Sequence, residues 1–131
     1  MSKPILIEVA PGELLDKMSI LEIKLDRIAD PAKRANVGTE LALLKAVRDE
    51  SVSASTELDA LYRELRSVNE TLWDIEDDIR DEERARRFEA RFIELARSVY
   101  VVNDKRALIK RQINTLLESN IFEEKSYADY A

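Results

Sequence analysis

The sequence predicts an all-α fold, an antiparallel helical bundle with coiled-coil-like hairpins, and three observations support this prediction. Ala, Glu, Lys, Leu and Arg supply 67 of the 131 residues, which is the bias expected of long helices. Only two glycines and three prolines are available to interrupt those helices. Apolar residues recur at alternating steps of three and four along two long stretches, as they do where helices share an apolar seam. At this length we expect a single domain, residues 1–131.

The first predicted helix covers residues 12–29 and follows an apolar arm. Residues 5–9 are compatible with a short β-strand and with an extended arm, because no second strand is evident to pair with them. Five apolar residues of the helix lie on one stripe at helical spacing: Leu14, Met18, Leu21, Leu25 and Ile28. Asp30, a residue able to cap a helix, then precedes Pro31, which disfavours helix before it and suits a first helical position. The pair therefore indicates the end of one helix and the start of another.

The second predicted helix covers residues 31–50 and is followed by a break. Its inward-facing residues are expected to be Val37, Leu41, Leu44 and either Val47 or Leu43. Residues 51–56 are small and hydroxylated, and Ser55 or Thr56 is placed to cap the next helix. A continuous helix is the alternative, because the apolar phase carries through this stretch without interruption.

Two long helices with matched seams are predicted over residues 55–81 and 88–118, joined by a turn near residues 81–87. The seam of the third helix consists of Leu58, Leu61, Leu65, Val68, Leu72, Ile75 and Ile79. The seam of the fourth helix consists of Phe88, Phe92, Leu95, Val99, Val102, Arg106, Ile109, Ile113 and Leu116. Their similar lengths, about 40–45 Å at 1.5 Å per residue, predict an antiparallel hairpin.

The composition excludes several classes of protein. Without cysteine the chain forms neither a disulfide nor a thiolate site, and without histidine it lacks a usual zinc ligand and the usual general base near neutral pH. The formal net charge of -6 disfavours nucleic acid and anionic membranes as partners. No signal peptide or membrane span is evident, so we expect a cytoplasmic protein, and the sequence predicts no cofactor and no metal ion.

Polar residues beside the seams predict a polar layer inside the bundle. Arg106 lies in an otherwise apolar seam, and a guanidinium removed from water needs acceptors on neighbouring helices. The candidate ligand-binding residues, which lie in this seam or on stripes beside the seams, are Glu13, Lys17, Lys24, Asn69, Trp73, Glu76, Arg80, Asn103, Arg106, Lys110 and Asn114. The favoured interpretation is a satisfied network that fixes helix register. The alternative is a pocket for a phosphate, a carboxylate or a sugar nucleotide, with Glu76 as the only candidate acid or base.

Two charged stretches allow further alternatives. Acidic residues between 74 and 83 carry the oxygen ligands that magnesium prefers, with Glu13 and Asp16 as a second pair, but a solvated face is the favoured interpretation. A basic strip suited to phosphate or nucleic acid would form, if the turn region were helical, from Arg80, Arg84, Arg87 and Arg91. We expect these arginines to pair with neighbouring acids at the surface instead.

Three segments resemble a bacterial family of uncharacterised short helical proteins, and together they cover nearly the whole chain. They are EVAPGELLDK at residues 8–17 with ILEIK at 20–24, Asn69 with LWDIEDDIR at 72–80, and NDKR at 103–106 with Lys110, Ile113 and Asn114. The resemblance implies a domain of unknown function that is encoded near, or fused to, glycosyltransferases and genes for cell-envelope polysaccharides. We expect a helical accessory or protein-interaction protein whose partner is a glycosyltransferase or another protein. Leu and Ile seams left over for a partner helix predict that it also forms a homodimer. Anionic-ligand binding in the polar layer is the alternative.

Overall fold

The computed structural model describes residues 2–130 and contains four helices. They are α1 (Pro11–Arg27), α2 (Pro31–Ser51), α3 (Thr56–Arg84) and α4 (Ala90–Leu116). No strand occurs between residues 2 and 130, so the all-α prediction is confirmed. Each predicted helix end lies within about three residues of the observed one, a normal spread for helix boundaries. The predicted break before α3 is observed at residues 52–55.

The predicted β-strand at residues 5–9 is wrong, and the alternative, an extended arm, is observed. Residues 2–9, here called the N-terminal arm, are exposed, with Ile5 and Leu6 each 90% and Ile7 78% accessible to solvent. Their backbone groups form no hydrogen bond with any part of the described chain. A strand needs a neighbouring strand to supply such bonds, and a fold made of helices has none to offer.

Both predicted helix caps are confirmed. The Asp30 carboxylate accepts a hydrogen bond from the Lys33 amide at 3.1 Å, and this bond caps α2. The Ser55 hydroxyl accepts one from the Leu58 amide at 3.1 Å and caps α3. Each cap satisfies an amide that the first turn of the helix leaves without a partner.

The turn between α3 and α4 lies at residues 85–89, slightly later than predicted. The Arg87 amide donates to the Glu82 carbonyl at 2.9 Å, and Arg86 adopts the left-handed conformation with φ 57°. This is a Schellman motif, which reverses the chain after the last helical turn. Glu118, with φ 54°, ends α4 in the same way.

Helix α1 lies at the centre of the bundle and packs against α2, α3 and α4. Helices α3 and α4 pack along each other as the predicted hairpin. The buried apolar core that the four helices share consists of Leu14, Leu15, Met18, Leu21, Leu41, Leu58, Leu65, Ile109 and Ile113. The polar residues on the same helices are therefore held in place by one core.

Four residues predicted to face inward are exposed: Leu43, Val47, Phe88 and Leu116, the last of which lies at the final position of α4. The α2 backbone approaches only that of α1 within the described chain, so only a narrow stripe of α2 is buried. Leu41 is buried as predicted. Leu43 and Val47 are 65% and 47% exposed, so neither is the further inward-facing residue that the spacing predicted for α2. Phe88 is also exposed, because it precedes α4 and packs its ring edge-on against Phe92 in the turn region.

Candidate functional site

A buried ion pair joins α1 to α4 at the centre of the predicted polar layer. The Asp16 side chain is 1% exposed, and its carboxylate accepts hydrogen bonds from Nε of Arg106, at 2.8 Å, and from Nη2. This two-bond geometry matches the fork of the guanidinium to the two carboxylate oxygens. Arg106 therefore has the charged partner that its place in an apolar seam requires.

Asn69 on α3 extends the ion pair into a network of three helices. Its Nδ2 donates to Oδ1 of Asp16 at 3.0 Å and to the Ser19 hydroxyl at 2.8 Å. The Ser19 hydroxyl donates in turn to the Asp16 carbonyl at 2.8 Å. Between residues 2 and 130, no buried side-chain nitrogen or oxygen lacks a partner. The deep part of the polar layer is therefore fully satisfied, as in a network that fixes helix register.

The network keeps Asp16 ionised. Burial alone would raise the pKa of the Asp16 carboxyl, but hydrogen bonds from Arg106 and Asn69 and the charges of Arg106 and Lys110 hold that pKa below its ordinary value. The hydrogen bond to Asp16 also raises the pKa of the Arg106 guanidinium. Neither group is therefore a proton donor or acceptor near neutral pH.

We expect stability to fall in acid as Asp16 becomes protonated. Its folded-state pKa lies below the ordinary 3.8, so its contribution is present above pH 3.8 and is lost as the pH falls through the folded-state value. Urea unfolding from neutral to acidic pH measures this loss, and the Asp16→Asn variant should show a shallower acid limb than the wild type. Asp59→Asn, an exposed control, should keep the wild-type slope. Equal slopes for Asp16→Asn and the wild type would contradict the prediction.

Lys110 forms a second charged contact between α1 and α4. Its Nζ lies 2.7 Å from Oε2 of Glu13 and 3.2 Å from Oε2 of Glu123, and its side chain is 14% exposed. Burial would lower the pKa of the Lys110 ammonium, but the hydrogen bond and charge of Glu13 raise it above its ordinary value. Because Glu123 belongs to the segment after α4, that segment folds back onto the polar layer.

The segment after α4 continues along the outer face of that helix. The Arg111 guanidinium lies over the Phe122 ring, 5.2 Å from its centroid, and the Tyr130 ring contacts that of Tyr100. A concavity of about 650 Å³ lies between α4 and residues 125–130. Its walls are mostly this exposed segment, so it is a surface feature away from the polar layer.

Helices α1 and α4 are in close contact at Gly12. The Gly12 amide donates to Oδ1 of Asn114 at 2.7 Å. A Cβ atom at Gly12 would lie 2.6 Å from the Lys110 carbonyl oxygen and 2.9 Å from that Oδ1. Asn114 is buried, and the bond from Gly12 to its side-chain oxygen joins α1 to α4.

A groove of about 390 Å³ lies between α1, α3 and α4, beside the buried ion pair. Apolar residues in its lining are Ile20, Ile23, Leu72 and Trp73. Polar residues in its lining are Asn69, Glu76, Asp77, Arg80, Asn103 and Arg106. The buried network has no unpaired group among the described residues, but the groove beside it is open to solvent. The structure therefore contains a feature of each kind considered from the sequence, a satisfied network and a space that could hold a ligand.

The eleven predicted ligand-binding residues do not all line one site. The groove is lined by Asn69, Trp73, Glu76, Arg80, Asn103 and Arg106. A smaller cleft of about 240 Å³ is lined in part by Glu13, Asn103, Arg106 and Lys110. Lys17 and Lys24 line neither space and form no ion pair within the part of the chain that the structure describes. Asn114 bonds to the Gly12 backbone.

Four polar residues of the network, its salt bridges and the groove were not among the eleven candidates: Asp16, Ser19, Asp77 and Glu123. Asp16 and Ser19 lie off the stripe of α1 from which the candidates came, and they are buried because α1 has neighbours on several sides. The sequence pointed to Asp16 only as half of a candidate acidic pair with Glu13 and as a member of the segment at residues 8–17, and the need of Arg106 for an acid did not say which acid it was. Nothing in the spacing of the segment after α4 indicated that Glu123 would reach Lys110.

The two charged stretches around the end of α3 lie mostly at the surface. Each arginine of the predicted strip contacts an acid, in the pairs Arg80 with Glu76, Arg84 with Asp81, Arg87 with Glu82 and Arg91 with Asp78. Over residues 2–130, no group of acids is arranged to hold a metal ion. None of the helices within that range has the length and apolar character needed to cross a membrane.

Comparison with known proteins identifies the family but no individual relative. No curated protein and no solved structure gave a match to this chain. The model of the Family of unknown function (DUF6165) matches residues 5–130, which include all four helices, the buried ion pair and the groove. The expectation of a domain of unknown function is therefore confirmed, and the chain belongs to the family DUF6165.

Proposed function

We propose that the protein is a non-catalytic helical accessory protein that acts by binding other polypeptides through its N-terminal arm. The observation that carries this proposal is the exposure of three consecutive apolar residues, Ile5, Leu6 and Ile7, at 78–90%. Transfer of such side chains out of water contributes roughly 25 cal/mol per Å² of apolar surface. In the isolated chain these three side chains stay in water, so folding does not gain this free energy from them.

The free backbone of the arm supports binding as an added strand. Five successive residues, 5–9, offer amide and carbonyl groups with no hydrogen-bond partner among residues 2–130. An extended segment of this kind binds by pairing with another strand, and its alternate side chains give specificity. Ala10 is buried, so the arm is anchored at the start of α1 and projects from a fixed point.

We take a second copy of the chain as the first partner. Two arms can pair antiparallel about a two-fold axis, so that each supplies the bonds and the apolar contacts that the other lacks. A two-stranded ribbon alone is marginal in water, so the dimer needs further apolar surface. Ile93 and Leu108 on α4, 55% and 57% exposed, are available for such contacts.

A glycosyltransferase of cell-envelope polysaccharide synthesis is the proposed heterologous partner, in the cytoplasm. This part of the proposal rests on the family resemblance and on no contact within the chain. The homodimer is therefore the form to test first, because its interface is defined by residues of this sequence.

Sedimentation velocity at micromolar concentration tests the arm. We expect the wild type to sediment as a dimer and the Ile5→Ser/Leu6→Ser/Ile7→Ser variant as a monomer with unchanged Tm, since the arm adds nothing to the core. The Leu43→Ser/Val47→Ser variant, which removes exposed apolar residues from α2 instead, should remain a dimer. A monomeric wild type, or a dimeric arm variant, would refute the homodimer proposal.

We propose small-ligand binding in the groove as a second candidate function. The observation that favours it is a set of polar groups without protein partners: the Asn103 amide, Nε1 of Trp73 and Nη1 of Arg106 form no hydrogen bond within residues 2–130. All three residues line the groove next to a satisfied network that holds Arg106 in place. The sequence alone predicted phosphate, carboxylate or sugar-nucleotide ligands for these residues. Glu76, the one candidate acid or base, is paired with Arg80, which favours binding over catalysis.

A further inference from the structure

The charged residues around the groove leave no excess of positive charge. Arg106 is paired with Asp16, and Arg80 is paired with Glu76. Asp77 adds a further negative charge to the lining. Two cations therefore face three carboxylates, so a phosphate or a free carboxylate in the groove would meet no excess of positive charge.

The groove has three side chains with polar groups that lack a hydrogen-bond partner in the described part of the chain. Trp73 and Asn103 are neutral, and the charge of Arg106 is already paired with that of Asp16. The Trp73 indole offers one N–H donor, and the Asn103 amide offers two donors and one acceptor. Arg106 has Nη1 free while its other two nitrogens hold Asp16. These groups suit ligand hydroxyls, which both donate and accept, and leave no full charge to neutralise.

The remaining lining of the groove is apolar. Ile20 and Ile23 on α1 and Leu72 and Trp73 on α3 provide this surface. A pyranose ring has apolar C–H faces and a rim of hydroxyls, so it matches a space that combines an aromatic residue with planar amide and guanidinium groups. Inorganic anions would leave the apolar lining without a contact.

We propose that the α1/α3/α4 groove binds an uncharged sugar ring, with its hydroxyls bonded to Asn103, Arg106 and Trp73 and its C–H groups against the apolar lining. This inference rests on the second candidate function, ligand binding in the groove. It replaces the anionic ligand expected from the sequence with a neutral polyhydroxylated one.

Fluorescence titration of the full chain provides the test, because Trp73 is the only tryptophan and lies in the groove. The probes are the methyl glycosides of glucose, galactose, mannose and N-acetylglucosamine, with inorganic phosphate and uridine diphosphate as anionic probes, all at millimolar concentration. We expect a saturable emission change with at least one glycoside that is insensitive to added salt, because an uncharged ligand is not screened. The phosphate probes should give none.

Two variants connect the response to the groove. Asn103→Ala should weaken glycoside binding about tenfold with unchanged Tm, because the half-buried amide has no protein partner to lose. Asn36→Ala, an exposed asparagine on α2, should bind as the wild type does.

The outcomes separate the proposals. A salt-sensitive response to phosphate or uridine diphosphate alone would overturn the sugar inference and leave an anion-binding groove. No response to any probe would overturn both the sugar inference and the groove as a binding site. Neither result affects the polypeptide-binding proposal, which sedimentation tests separately. Unchanged glycoside binding by Asn103→Ala would also overturn the inference.

Discussion

The Asp16→Ala variant should unfold with a free energy about 3 kcal/mol below that of the wild type, at the lower end of the range for broken buried ion pairs. The substitution leaves the Arg106 guanidinium without its carboxylate and removes an acceptor from Asn69. The lower end applies because the Arg106 side chain keeps 29% of its surface exposed and can recover some hydration. Urea or guanidinium denaturation at neutral pH measures the difference.

A double-mutant cycle and an exposed pair provide the controls for Asp16. The Asp16→Ala/Arg106→Ala variant should lose less stability than the sum of the two single variants, since the second substitution removes the unpaired charge. Asp74→Ala breaks an arginine–aspartate pair at the surface, in which Nη1 of Arg27 contacts Oδ1 of Asp74 at 2.7 Å through a single bond. It should cost only a small fraction of the Asp16 effect. Additive single effects, or equal costs for Asp16→Ala and Asp74→Ala, would count against a buried network.

The Gly12→Ala variant should lose about 2–3 kcal/mol of stability, the upper part of the range for overpacked cores. The added methyl group would lie 2.6 Å from a backbone oxygen, that of Lys110, which cannot rotate away as a side chain can. Helix α1 must therefore shift from α4, and the bond from Gly12 to Asn114 would lengthen with it. Thermal and chemical denaturation measure the loss.

Gly38→Ala is the matched control, because it makes the same change in a helix where a Cβ has nothing within 4 Å. Alanine is the better helix former, so this variant should gain about 0.5–1 kcal/mol. The two glycine substitutions are expected to have opposite signs. A Gly12→Ala protein as stable as the wild type would mean that α1 and α4 are not in close contact at this position.

The long helices could be predicted because their burial follows one period. Leu65, Ile75 and Leu95 are buried at the positions that steps of three and four predict. The prediction was less successful for α1, where residues on several faces are buried because three helices surround it. A pattern based on a single stripe treats Asp16 as outside the core, although it is one of the least exposed residues.

The turn between α3 and α4 was harder to place for a different reason. Schellman motifs usually have glycine at the left-handed position, and here Arg86 and Glu118 occupy the two such positions. The sequence therefore contains no local signal for either helix end. A turn was predicted only because the two long seams must meet. That requirement fixes the position of the turn to within several residues and no more closely.

The contact between Gly12 and Asn114 joins residues separated by 102 positions in the chain. A chain emerging from the ribosome can form the α3/α4 hairpin from neighbouring sequence, but α1 must wait for the last turn of α4 before its polar layer closes. Because such distant contacts require a large loop to close, α1 should join late in folding. Until α4 has formed, Asp16 and Arg106 are not in contact, and we expect both side chains to remain hydrated.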